Sequence, residues 1–333
     1  MASTILITGA NGSLALPAIK HLLTNYATHH AVLTVRNASA SDPNTQKLRA
    51  IISPFQNRAS IRELDLSDLS SVRSFGTALA TDITSGSIPP LSSIICNAYY
   101  WNLATAPDFT QDGFERTFQI NHLSHALLVQ QLLESFGPAD TSESSPRSGR
   151  IVVFGSDAIF PGQNGLEKYP PRLPENLDDL AKPDLGLDKN DYMGHGFHRY
   201  ALSKLATVTW MYALNKHLQK PENAHLKDIT AVAVNPGNLS DSRALRSNTP
   251  FMLQFASRFV IRPLGPVLRR MIDPLMRTAE TAGKDVIELT VDDRFKGTSG
   301  YFTLLEQGEG PPDSVDEDKQ AAVWDKTVKW CSQ

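Results

Sequence analysis

Cysteine is scarce in this chain: 333 residues hold two, Cys96 and Cys331. Two thiols cannot build the disulfide framework of a small secreted scaffold, so a reducing, cytoplasmic setting is expected. Long apolar runs are also missing. None approaches the roughly 18 residues of a bilayer-spanning helix, so no membrane span is expected. The N-terminus, Met1-Ala-Ser-Thr-Ile-Leu-Ile-Thr8, lacks the basic flank and apolar stretch of a secretory signal, and none is expected there. Excess charge of one sign is absent as well. A net charge of −3 and a pI near 6.3 remove the electrostatic footprint of a nucleic-acid partner. What remains, 41% hydrophobic and 20% charged residues, is ordinary for a globular domain with a substantial core.

Short apolar runs alternate with helical patterns along most of the chain. That order predicts a doubly wound parallel sheet covered by helices, an α/β Rossmann-type architecture in a single domain, 1–333. Strands are expected at 5–8, 31–35, 61–64, 93–96, 151–154, 229–234 and 300–305. Helices are expected near 14–23, over 113–135 and over 199–218. Three stretches interrupt the alternation and read as decorations. Residues 137–149 are rich in Ser and Pro and predict a surface loop. Residues 161–198, with five prolines, predict an irregular insertion beside the active site. Residues 240–280 mix apolar residues, including Phe251, Met252, Phe255, Phe259, Val260 and Ile261, with Arg258, Arg262, Arg269, Arg270 and Arg277. A substrate lid is the leading expectation there. A basic amphipathic stretch can equally rest on a membrane surface as a peripheral contact, or form a homodimer contact.

Chemistry concentrates at Tyr200-Ala-Leu-Ser-Lys204. A phenol donates a proton near neutral pH only if its pKa of about 10 is lowered. A lysine one helical turn on, on the same face, can lower it. The turn Thr8-Gly9-Ala10-Asn11-Gly12-Ser13-Leu14-Ala15 lies where a strand hands over to a helix, the place where a helix N-terminus receives a pyrophosphate. The second strand ends in Arg36, with no acid before Asp42. An acid there would accept from a 2′-hydroxyl, whereas arginine can clamp a 2′-phosphate. NADP(H) is therefore the expected cofactor. His122/His125 and His195/His198 have no neighbouring ligands at a recognisable spacing, so no metal site is expected.

Together these motifs resemble the short-chain dehydrogenase/reductase family over nearly the whole chain. Ser13 and Ala15 stand at the second and third glycine positions of Thr-Gly-x-x-x-Gly-x-Gly. Asp65-Leu66 opens a segment similar to the family's adenine-contacting stretch. Asn97-Ala98-Tyr99 resembles Asn-Ala-Gly at the end of the fourth strand. Asp112–Asn121-His-Leu-Ser-His125, Gly149–Ser156 and Asn235-Pro236-Gly237 match the asparagine helix, the serine strand and the nicotinamide loop. The tail from Gly300 to Thr327 looks like a retinol-dehydrogenase-like ending, as in a fungal-type NADP-dependent member.

The resemblance implies catalytic roles for four residues. Tyr200 would be the proton donor or acceptor, and Lys204 its electrostatic partner and ribose contact. Ser156 would bind the substrate oxygen, and Asn121 would hold a water linking Lys204 to solvent. It implies cofactor contacts from Gly9, Asn11, Gly12, Ser13, Leu14, Arg36, Asp65, Leu66, Asn97, Ala98, Tyr200, Lys204, Pro236 and Gly237. Tyr99, Asp157 and Asn238 are the expected substrate-pocket residues. The expected activity is NADPH-dependent interconversion of a carbonyl and an alcohol on a hydrophobic small molecule, a ketoreductase fit for secondary metabolism. A non-redox isomerase, cyclase or lyase on the same fold, or a cofactor-binding pseudoenzyme, are the alternatives.

Overall fold

A computed structural model describes residues 2–138, 147–183, 191–256, 258, 259, 263 and 273–333. The strands are β1 (Ser3–Ile7), β2 (His29–Val35), β3 (Ala59–Glu63), β4 (Leu91–Cys96), β5 (Ser148–Phe154), β6 (Asp228–Asn235), β7 (Gly300–Thr303) and β8 (Glu306–Gly308). They form one sheet in the order β3-β2-β1-β4-β5-β6-β7-β8, parallel except for the antiparallel β7–β8 pair. Side chains alternate across a strand, and β1 uses both faces. Leu6 joins the core on one side of the sheet, while Ile5 and Ile7 join the other. Burial on both faces explains why these strands are continuous apolar runs rather than alternating ones.

The first side is covered by α3 (Leu69–Thr84), α5 (Ser124–Leu132), α7 (Tyr192–Leu218) and α11 (Glu317–Cys331). The second is covered by α1 (Ala15–Asn25), α2 (Pro43–Ile52) and α9 (Ala279–Val291). The short helices α4 (Arg116–Phe118), α6 (Asp178–Ala181), α8 (Phe251–Ala256) and α10 (Pro312–Val315) sit in the connections. Strand order reverses between β1 and β4, which opens a crevice at their C-terminal ends.

Three local expectations differ from the structure. The helix expected over 113–135 begins at Arg116 and contains a π turn at Gln119–Leu123. The helix expected from 199 starts earlier, at Tyr192, because the Asp191 carboxylate caps it by accepting from Gly194 N. The strand expected over 300–305 breaks at Leu304, whose φ of 59° turns the chain back into β8. The insertion expected over 161–198 is anchored to the rest of the domain. Leu173, Leu180 and Ala181 are buried in the main core, and Asp178 is tied to Lys326 (2.7 Å) and Trp330 (3.2 Å) of α11.

In the 240–280 stretch, Phe251 (78%) and Met252 (82%) are exposed on α8, but Arg277 is buried in an ion pair with Asp285 at 2.5 Å. Arg277 therefore does not belong to a basic surface. Val260, Ile261, Arg262, Arg269 and Arg270 lie outside the described residues, as do 139–146 of the expected surface loop and 184–190 of the insertion.

Candidate active site

The β1–α1 turn is shaped by Gly9. Its φ is +61°, and a Cβ there would lie 2.8 Å from Ala98 Cα, so only glycine lets the ends of β1 and β4 touch. Asn97 closes the same corner, its Nδ2 donating to Thr8 O (2.9 Å) and Gly9 O (3.1 Å). Among the described residues, the main-chain N–H groups of Asn11, Ser13 and Leu14 meet no backbone acceptor. The first turn of α1 carries no acidic residue. A cradle of free amides at a helix N-terminus fits the diphosphate of a dinucleotide. Arg36 follows β2 on the surface, exposed and with no hydrogen bond or ion pair among the described residues. Asp65 Oδ1 accepts from Ser67 N (2.8 Å) and Ser67 Oγ (2.7 Å), which folds the turn after β3. The Leu66 side chain is in the core, so only its main chain can face a ligand.

Tyr200 and Lys204 lie on α7, and Lys204 Nζ is 5.9 Å from the Tyr200 ring centre. The Tyr200 phenol is held above its ordinary value, first by burial and then by Tyr99, with Ser156 opposing. This is the opposite of the lowering expected from Lys204. Lys204 is itself pushed down to about 8 by burial, with Cys96 opposing. Ser156 follows β5. Its Oγ donates to Asp157 Oδ1 (3.1 Å) and accepts from Ala158 N (3.2 Å). Asp157 Oδ2 in turn accepts from Asn238 Nδ2 at 3.1 Å, and the same Nδ2 lies 2.8 Å from Asp273 Oδ2. The loop after β6 is thereby tied to the serine corner. Gly237 makes that loop possible, with φ +79° and a Cβ position 2.4 Å from Leu275 O.

Asn121 sits inside the π turn, buried. Its Oδ1 accepts from Tyr100 N (2.7 Å), and its Nδ2 donates to Tyr100 O (3.0 Å) and Ser203 Oγ (2.8 Å). Ser203 Oγ donates to Tyr200 O at 2.7 Å. The asparagine side chain therefore holds the backbone of the β4 loop and, through Ser203, the backbone of Tyr200. Its own carbonyl oxygen is reached by Thr207 Oγ1 and His125 Nδ1, both at 3.3 Å. A carbonyl only accepts, so Nδ1 of His125 carries the hydrogen and Nε2 accepts from Thr8 Oγ1 at 2.9 Å. Burial pushes His125 down to about 4, which keeps it neutral. His122 is likewise neutral, pushed down to about 3 and 2.8 Å from Thr327 Oγ1.

Tyr99 stands over this corner, 45% exposed. Its ring centre is 6.3 Å from those of Trp101 and Tyr200, and Trp101 is 5.3 Å from Tyr200. Three aromatic rings meeting edge to face form one wall of the crevice. The structure thus brings Tyr200, Lys204, Ser156, Asp157 and Tyr99 into one region, with Asn238 bonded to Asp157. Sequence reasoning assigned no site role to Ser203, nor to Arg243, which reaches the nucleotide turn from the far side of β6. Nothing short-range marks these positions, because their partners are distant in sequence.

Known proteins share this organisation. The short chain dehydrogenase family model matches residues 3–170, and the AcuH dehydrogenase domain model matches residues 243–333, where a retinol-dehydrogenase-like ending is the expectation. The short-chain dehydrogenase iccH of Talaromyces variabilis is 27% identical, with 96% of this chain and 93% of that protein covered. The chloroplastic protochlorophyllide reductase of Chlamydomonas reinhardtii is 26% identical over 98% of this chain and 77% of the relative. In three dimensions, the NADPH-bound carbonyl reductase from chicken fatty liver superposes with a TM-score of 0.58 at 16% identity, covering 93% of this chain and 98% of the other. That last likeness establishes the fold. Sheet order, nucleotide turn and family match agree: the chain belongs to the short-chain dehydrogenase family of nicotinamide-dependent oxidoreductases.

Proposed function

We propose that the protein is an NADPH-dependent carbonyl reductase acting on a hydrophobic small molecule, of the kind made in secondary metabolism. The observation that carries this reading is the partly buried Tyr200 beside Ser156 and Lys204 at the C-terminal edge of the sheet, walled by Tyr99 and Trp101. Bound NADPH supplies the hydride; this chain supplies the proton and the oxygen-binding groups. Ser156 Oγ hydrogen-bonds the substrate oxygen where negative charge develops. The Tyr200 hydroxyl then delivers its proton to that oxygen, completing an alcohol. A phenol held above its ordinary value is protonated at neutral pH but is a weaker acid than a free tyrosine, so its proton transfer depends on stabilisation of the phenolate it leaves. Lys204, still largely cationic at pH 7 with a value of about 8, stabilises the phenolate left behind. Asn121 keeps Tyr200 and the β4 loop in register.

Arg36 supports NADP(H) over NAD(H), being exposed, cationic and unopposed by an acid at the end of β2. Gly9, Asn11, Gly12, Ser13 and Leu14 hold the diphosphate. Asp65, Leu66, Asn97 and Ala98 line the adenosine side, and Pro236 and Gly237 cover the nicotinamide. Asp157, Asn238 and Tyr99 border the substrate, and the 240–280 stretch serves as its lid. The test is NADPH oxidation against a panel of apolar ketones and aldehydes. Tyr200→Phe is expected to lower turnover by at least about 100-fold while leaving the Kd for NADPH within a few-fold. Turnover unchanged in that variant would refute the assignment.

A further inference from the structure

Arg243 lies in the connection after β6, yet its side chain crosses to the β1–α1 turn. Its main-chain N (3.0 Å) and Nε (3.2 Å) both donate to Ser13 Oγ, Nη2 donates to Asn11 O (2.5 Å), and Nη1 donates to Asn44 Oδ1. Every one of these acceptors is neutral. Among the described residues no carboxylate comes within ion-pair distance of the guanidinium. Asp42 is the acid it senses, but that carboxylate is engaged in capping α2 through Thr45 N at 2.7 Å. Arg246 adds a second positive charge nearby, and Tyr99 senses the guanidinium from the crevice side.

A half-buried cation held only by neutral acceptors has lost hydration without gaining a countercharge. A guanidinium has five N–H groups, and three are used here, so two remain for an anion. It stands over Asn11 and Ser13, whose main-chain amides also lack backbone acceptors. Charge and free donors thus converge on one face of the nucleotide turn.

We infer that Arg243 binds the diphosphate of the nicotinamide dinucleotide, closing over it from the lid side of the crevice. This rests on the nicotinamide reading of the site and adds a residue to it. It also supplies a positive charge to a turn in which serine and alanine stand at two glycine positions.

The experiment measures Kd for NADP⁺ and NAD⁺ on the 333-residue chain by calorimetry, at low and high salt. Arg243→Gln should weaken both dinucleotides by the same factor, roughly tenfold to a hundredfold, and flatten the salt dependence of binding. Arg243→Lys, which keeps the charge but loses the fork, should lie between. Unchanged affinities in Arg243→Gln would overturn the assignment. So would a loss confined to NADP⁺, which would move the contact to the 2′-phosphate. Equal losses in the Lys and Gln variants with an unaltered salt slope would reduce Arg243 to a structural latch and also overturn it. If the wild-type chain bound neither dinucleotide, the nicotinamide reading itself would fall, a result distinct from all of these.

Discussion

At the scale of single residues, charge without a partner is the most telling feature. Arg36 is exposed and meets no acid among the described residues, whereas Arg277 is buried against Asp285, and the two have opposite meanings. One can be reached by a ligand phosphate; the other is a structural ion pair. Arg36→Asp should therefore reverse the cofactor preference, raising KM for NADPH at least about tenfold while lowering it for NADH. Steady-state kinetics with both cofactors check this, and a variant that still prefers NADPH would place the 2′-phosphate contact elsewhere. Lys204 shows the limit of reasoning from residue spacing. Its position one turn after Tyr200 was legible, but the spacing carries no information on burial, and burial raises the phenol and lowers the amine.

At the scale of elements, the π turn at Gln119–Leu123 matters most. A π turn offsets the regular hydrogen-bond ladder, and here the Asn121 carbonyl receives the side chains of Thr207 and His125. Its side chain makes three hydrogen bonds that hold the β4 loop and Ser203. Asn121→Ala would leave Tyr100 N–H and Tyr100 O without these partners. The expected cost is about 3 kcal/mol of stability, with loosening of the loop that carries Tyr99 and Trp101. Urea unfolding measures the first and Trp101 fluorescence reports the second. A variant as stable as the parent would show the network to be dispensable. The apolar periodicity of 113–135 predicted a helix, but a one-residue change of pitch leaves that periodicity almost untouched.

At the scale of the whole molecule, two buried histidines tie distant parts together. His125 joins α5 to Thr8 after β1, and His122 joins the π turn to Thr327 of α11. Both are held neutral, at about 4 and about 3 against an ordinary 6.5. With the folded values depressed, the unfolded chain binds more protons below pH 6.5. Stability should be full above that pH and fall as pH drops from 6.5 toward 4, with a slope of up to about 1.4 kcal/mol per pH unit for each ring. Urea midpoints between pH 7.5 and pH 5 test this. A midpoint that does not move would mean that neither ring is buried neutral.

The amino-acid order by itself carried seven of the eight strands and three of the helices, because strand and helix periodicities are local, while the roles expected of Asn121, Ser156, Tyr200 and Lys204 rest on the likeness of their motifs to a known family. It also carried Gly9, since the tight strand-to-helix turn is written in adjacent residues. The tertiary structure alone decided which face of the nucleotide turn Arg243 covers, that Trp101 and Tyr99 wall the phenol, and that the insertion is anchored to α11. Those facts rest on contacts between residues far apart in the chain, and on burial, which sets the sign of each pKa shift and which no short stretch of sequence encodes.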